Sequence, residues 1–298
     1  MTFRTAAWRP DRMRMRGPGH KAVRPTSETG AVSSLEAAFE TPRPIMKRNI
    51  NRARSQSWDA VAHWYAGWTG SNGSRYHRTL AVPLLLEMLD PQAGEHIADL
   101  GCGPGILAPP VAARGASFVG IDLSPRLIAE ARKSHGKSGR FVVGDVTRLP
   151  RHAHLPAGGF DAACFLLSIQ DINPLDAAMA SAAKLLKPGG RLAVVMLHPC
   201  FRVPRQSGWG WDEGRGLKFR RLDSYLTPLA VPMQSHGNGT TRSYHRPLGA
   251  YAEALSLAGL ALTGIREVGD LPVEGGSRAD RRAAGEFPLF LGLRAVKL

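Results

Sequence analysis

The sequence predicts an α/β fold built on a parallel sheet, and three observations carry that expectation. From residue 96 to residue 197 short apolar runs alternate with helical stretches. Strands that alternate with helices need crossover connections, which pair neighbouring strands in parallel. A turn with glycines at 101, 103 and 105 ends the first apolar run and opens a helix. After residue 198 the alternation stops, and 199–245 is rich in Gly, Pro, Trp and Arg with little periodicity. A segment of that length in a compact domain is more often a lid or binding insertion than slack chain.

The elements follow in order. Trp58, Val61, Ala62, Trp64, Tyr65 and Trp68 lie near helical spacing, and a turn follows from Gly70 to Ser74. A second helix over His77–Leu89 carries Leu80, Leu84, Leu85 and Leu89 on one face and stops at Pro91 and Gly94. Strands are expected at His96–Leu100, Ser117–Ile121, Phe141–Val143, Phe160–Leu166 and Arg191–Leu197. Helices fill Ile106–Arg114, Pro125–His135 and Leu175–Leu186. A helix over Pro247–Ala258 ends at Gly259, and strands Leu260–Val268 and Pro288–Val296 complete the pattern.

This divides the chain into a disordered basic extension (1–45), an N-terminal helical cover (46–94) and a core over 95–298 with its insertion at about 199–245. The extension crowds Arg4, Arg9, Arg12, Arg14, Arg16, Lys21 and Arg24 among prolines with almost no acid. No apolar stretch of the secretory kind follows it, and Met46 offers an alternative start. Over 298 residues, 39 Lys and Arg against 24 Asp and Glu leave a formal charge of +15. That balance favours anionic partners without choosing among them. No apolar run approaches the roughly 18 to 20 residues that span a bilayer. The cysteines, Cys102, Cys164 and Cys200, are too few for a disulfide framework and are not spaced as metal ligands, so a cytoplasmic setting and no metal are expected.

The chemistry concentrates in Asp99-Leu-Gly101-Cys-Gly103-Pro-Gly105. Glycines at alternate positions allow a tight turn and close approach of backbone to a ligand, and the helix that follows offers free amides. A dinucleotide fingerprint would need its third glycine at position 106, where this chain has Ile. A phosphate loop would need Gly-Lys-Ser/Thr, which is absent. The second strand ends in Asp122, where a carboxylate can accept from a ribose diol, and the third ends in Gly144-Asp145-Val146.

Together with the Leu186-Lys-Pro-Gly-Gly190 turn, these segments resemble the class I S-adenosylmethionine-dependent methyltransferases over about residues 95 to 200. The resemblance implies a Rossmann-like, doubly wound sheet of seven strands with the last antiparallel, and S-adenosylmethionine as cofactor. It implies that Gly101, Gly103 and Gly105 lie against the amino-acid portion of the cofactor and that Asp99 fixes its amino group or the loop. Asp122 would then hold the ribose, and Asp145 with the Val146 amide would meet the adenine.

On the acceptor side, His198 directly follows the fifth strand and is the candidate general base, since a His titrates near neutral pH. Ser168-Ile-Gln-Asp171 follows the fourth strand, without the Asn/Asp-Pro-Pro-Tyr/Phe run of methyltransferases acting on base amino groups. Gln170 and Asp171 are candidates to touch acceptor or cofactor. The aromatic helix with Tyr65, Tyr76 and His77, and Trp209, Trp211, Tyr225 and Tyr244 in the insertion, are candidates to shape the acceptor pocket. The expected activity is methyl transfer to O, N or C of a small molecule. An RNA acceptor is the first rival, motivated by Arg205, Arg215, Lys218, Arg220 and Arg221. A non-catalytic cofactor-binding regulator is the second.

Overall fold

The computed structural model describes residues 58–149, 155–233 and 239–298. The basic extension and the first residues of the expected cover lie outside them. Helix α1 (Trp58–Thr69) leads into a π-helical turn (His77–Ala81) and α2 (Val82–Leu89). Then follow β1 (His96–Leu100), α3 (Ala108–Ala112), β2 (Ser117–Asp122), α4 (Pro125–His135) and β3 (Arg140–Val143). β4 (Phe160–Leu166), α5 (Leu175–Leu185) and β5 (Leu186–Leu197) complete the alternating part.

The π turn has a local cause. Pro83 has no N–H to return to Thr79, and the amide of Val82 donates one residue further back, to the carbonyl of His77. α4 starts where Ser124 caps it, its hydroxyl accepting from the amide of Leu127 ahead of Pro125 at the first helical position.

The insertion is not irregular. It holds two antiparallel hairpins, β6 (Ser207–Asp212) with β7 (Leu217–Leu222), and β8 (Leu229–Pro232) with β9 (Arg242–His245). After it come α6 (Leu248–Leu257), β10 (Leu260–Gly269), α7 (Arg278–Glu286) and β11 (Pro288–Lys297). α7 was not expected from the sequence; Ser277 and Asp280 form a reciprocal capping box at its start.

Seven strands make one sheet in the order β10-β11-β5-β4-β1-β2-β3. β1 to β5 pair in parallel, and β11 lies antiparallel between β5 and β10. Alternation along the strands feeds two cores. Ala98, Leu100, Ala163, Phe165, Leu192 and Val194 pack under α5 and α6. Ile97, Ala162, Cys164, Ala193 and Val195 pack under α2, α3 and α4. This is the doubly wound, Rossmann-like architecture with its last strand reversed. α2 sits so close to β11 that a Cβ at Gly292 would lie 2.4 Å from the Met88 sulfur. The parallel strands all end on one edge, where the connecting turns meet.

Candidate functional site

A cavity of about 1110 Å³ opens along that edge. Sheet order fixes the order of its floor: Asp145 and Val146 after β3, Asp122 at the end of β2, Gly101 to Pro104 after β1, and Ser168 and Asp171 after β4. Trp58, Asp59 and Tyr65 of α1 and His77 of the π turn also line it, as do Thr241, Arg242 and Tyr244 at β9.

The glycine turn is held from below. Gly103 adopts φ +53°, and a Cβ there would have only the Tyr65 ring as a neighbour, at 3.6 Å. The bare backbone at that point is therefore open to the cavity. The Gly103 amide donates to Asp122 Oδ2 at 2.9 Å and the Ser124 amide to Oδ1 at 2.9 Å, so one carboxylate ties the β1 turn to the β2 turn. Burial pushes the Asp122 carboxyl above its ordinary value, against the two amides that stabilise its charge. Asp145 accepts from the amide of Thr147 at 2.9 Å and from its hydroxyl at 2.7 Å. Asp59 clamps α1 onto α4, accepting from the Ser124 hydroxyl at 2.7 Å and the Arg126 amide at 3.1 Å.

On the far side of the glycine turn, Asp171 ends a short 3-10 turn (Ile169–Asp171). Burial pushes its carboxyl up to about 7, opposed by a hydrogen bond from Ser243 and by the Arg246 guanidinium. Arg246, itself only 8% exposed, donates to the carbonyl of Ile172 at 2.7 Å and to Asn173 Oδ1 at 3.1 Å. Burial pulls His77 down to about 4, so its ring is neutral, and Nδ1 is engaged by the Ser74 hydroxyl at 2.8 Å. Burial, then Asp171, then Asp122 raise the Tyr65 phenol above its ordinary range.

Of the residues expected to hold a cofactor, Gly101, Gly103, Asp122, Asp145 and Val146 line the cavity, and Asp99 and Gly105 do not. Asp99 is 1% exposed and accepts from the Cys164 thiol at 3.7 Å, and burial pushes its carboxyl to about 7. Gly105 faces the Phe141 ring rather than the cavity.

His198 does not line the cavity either. Both ring nitrogens have partners: Nε2 meets Glu267 at 2.7 Å, and Nδ1 accepts from the amides of Cys200 and Phe201 at 3.2 and 3.4 Å. Trp209 lies away from the cavity as well. It is edge-on to Phe287 and carries the guanidinium of Arg220 at 4.9 Å from its centroid. Among the described residues of the insertion, Tyr244 is the one aromatic that reaches the cavity wall. The five basic residues of the insertion that motivated an RNA acceptor are each engaged within the protein. Arg205 donates to Pro232 O, Lys218 pairs with Asp280, Arg220 donates to Phe201 O, and Arg215 and Arg221 pair with Asp212 and Asp223. Asp59 and Ser243 escaped sequence reading, because their partners lie 65 and 72 residues away in the chain.

Among the described residues no helix is long and apolar enough to cross a membrane, and no cluster of His, Cys, Asp and Glu has metal-binding geometry. Residues 98–194 match the family model of a methyltransferase domain. The demethylmenaquinone methyltransferase of Beutenbergia cavernae is 30% identical over 151 residues, covering 51% of this chain and 57% of that protein. The ubiquinone biosynthesis O-methyltransferase of Aromatoleum aromaticum is 32% identical over 162 residues, covering 53% of this chain and 68% of that protein. A crystal structure of an S-adenosylmethionine-dependent methyltransferase from Mesorhizobium loti aligns with a TM-score of 0.58 at 27% identity, over 72% of this chain and 96% of that one. The chain spans 57% and 61% of the length of the first curated relatives it matches. Sheet order, the glycine turn with its carboxylate rim, and these relatives agree: the chain belongs to the class I S-adenosylmethionine-dependent methyltransferases.

Proposed function

We propose that the protein transfers a methyl group from S-adenosylmethionine to a small-molecule acceptor. The observation that carries this is one cavity with two chemically different ends. At about 1110 Å³ it exceeds the roughly 300–1,000 Å³ of a pocket for one drug-sized ligand. Asp59, Asp122 and Asp145 line it along the ends of the first three strands, in a chain of formal charge +15. A carboxylate-rich wall suits a ligand whose polar hydrogens are a ribose diol, an adenine amino group and an ammonium, and whose sulfur is cationic.

In this reading Gly101 and Gly103 offer backbone to the methionine portion, Asp122 takes the ribose, and Asp145 with the Val146 amide takes the adenine. Asp99 and Gly105 support the turn from behind. Bound there, S-adenosylmethionine supplies an electrophilic methyl group. The chain's own part is to hold an acceptor in line with that methyl and to keep water out. α1 and β9, the part of the insertion that reaches the cavity, complete its wall. A cytoplasmic setting fits the three free cysteines.

Calorimetric titration of the full chain with S-adenosylhomocysteine, with NADH as control, is expected to give saturable binding of the first alone. Binding of NADH, or of neither, overturns the reading. A second expected outcome concerns His198. His198→Ala should leave S-adenosylhomocysteine affinity within about twofold and lower stability by about 1–3 kcal/mol, because the Cys200 and Phe201 amides lose a buried acceptor. Titration and urea denaturation read the two effects. A large loss of turnover at unchanged stability would return His198 to the catalytic role first expected of it.

A further inference from the structure

We propose, resting on that reading, that Asp171 is the catalytic proton acceptor at the acceptor end of the cavity and that the acceptor is a planar phenol.

Sheet order is the first support. Asp145, Asp122 and the glycine turn occupy β3, β2 and β1, and the next strand across is β4, whose following turn carries Asp171. A ligand laid along the first three ends its reacting portion at the fourth. Tyr65 feels the Asp171 charge there, Ile172 follows it in the chain, and Tyr244 lines the same cavity, as do the polar Ser168 and Asn173. Aromatic and aliphatic faces around a single carboxylate suit a flat ring bearing one hydroxyl.

The groups facing Asp171 come from three elements. Ser243 of β9 donates to it, Arg246 lies behind it, and the Tyr65 and Tyr251 phenols from α1 and α6 both feel its charge. Arg246 is committed to Ile172 O and Asn173, so it steadies the turn that bears the carboxylate instead of closing on it as an ion pair. Ser243 and Arg246 are positioning residues.

In the step, an oxygen lone pair of the phenol forms the bond to the methyl carbon. The carbon–sulfur pair stays on sulfur, leaving a neutral thioether, and the phenol proton passes to a carboxylate oxygen of Asp171. The carboxylic acid then returns its proton to water. Among the described residues His77 is the imidazole that competes with it on the cavity wall. Moving a proton from a phenol titrating near 10 to a group at about 7 is uphill by about three powers of ten, against about six for a group at about 4. That comparison favours Asp171.

The test measures methylation of catechol, 4-nitrophenol and 1,4-dihydroxynaphthalene, with benzylamine as the control acceptor. At least one phenol should turn over, with kcat rising through an ascending limb near pH 7. Asp171→Asn should lower kcat by about 10²–10⁴-fold and abolish that limb, with KM within about threefold. Ser243→Ala, which removes a bond that favours the charged form, should move the limb to higher pH and leave maximal kcat nearly unchanged. S-Adenosylhomocysteine affinity should stay within about twofold in both variants.

Three outcomes overturn the proposal while leaving the cofactor reading intact. These are S-adenosylhomocysteine binding without methylation of any phenol, an Asp171→Asn protein that keeps its rate and its limb, or a folded Asp171→Asn protein that no longer binds S-adenosylhomocysteine. If the wild-type protein does not bind S-adenosylhomocysteine, the cofactor reading itself fails.

Discussion

Asp122→Ala is expected to weaken S-adenosylhomocysteine binding by about 10²–10⁴-fold, read by calorimetric titration. Two ribose hydroxyls donating to one carboxylate are each worth about 1.5–3 kcal/mol as charge-assisted hydrogen bonds, and about 1.4 kcal/mol is tenfold in affinity. A second loss adds to the first. The same carboxylate accepts from the Gly103 and Ser124 amides at 2.9 Å each, so alanine also frees the turn that carries the cavity-facing backbone. Asp122→Asn keeps one acceptor oxygen and should fall between alanine and the native protein. Unchanged affinity in the alanine protein would reduce Asp122 to a cap for α4.

The other large effect is on stability. Gly105→Ala is expected to cost about 2–5 kcal/mol. Gly105 sits at φ +80°, where an L-residue pays about 1–2 kcal/mol. Its new methyl would lie 2.6 Å from Phe141 Cε1 and 3.1 Å from the Ala131 Cβ, an overpacking of about 1–3 kcal/mol. Against a typical total of about 5–15 kcal/mol this is a large fraction. The urea midpoint measures it, and a shift worth less than about 0.5 kcal/mol would mean that β3 and α4 yield easily at this point. The affinity of the folded fraction for S-adenosylhomocysteine should hold, since Gly105 packs the turn and does not line the cavity.

These two positions mark what the sequence could and could not reveal. Alternation of apolar runs is a local property, so β1, α4 and β4 fall at the expected residues. β5 begins at Leu186, earlier than expected, because Phe160 pairs with it before the glycine turn has run its course. The hairpin β6–β7 was hidden by its own packing. The Phe219 ring lies 2.3 Å from where a Cβ of Gly210 would be, so glycine interrupts the apolar rhythm of a strand. α7 announced itself only through Ser277-Arg-Ala-Asp280, a capping pattern ahead of a helix with almost no apolar face.

At the site, the loop that the motif marks lines the cavity, but not every side chain expected there does. Asp122 ends its strand and reaches the cavity, whereas Asp99, level with Gly120 in the parallel register, sits two positions deeper in the sheet and meets the Cys164 thiol. His198 follows β5 as expected, but its ring turns back to Glu267, a contact 69 residues away along the chain. Asp171 was a candidate from its place after β4, while its depth and its partners Ser243 and Arg246 depend on a hairpin more than seventy residues later.

The reversed strand β11 has a consequence for how the protein is made. β5 and β10 lie on either side of it and pair with nothing else on those flanks. The 90 residues from 198 to 287 leave the ribosome after β5 and before β11. Throughout that interval the nascent sheet carries an unpaired apolar edge at Leu192–Met196, the kind of surface that recruits strands from other chains. A single late strand therefore closes two edges at once, and solubility during synthesis depends on how quickly Leu289–Val296 arrives to occupy the gap.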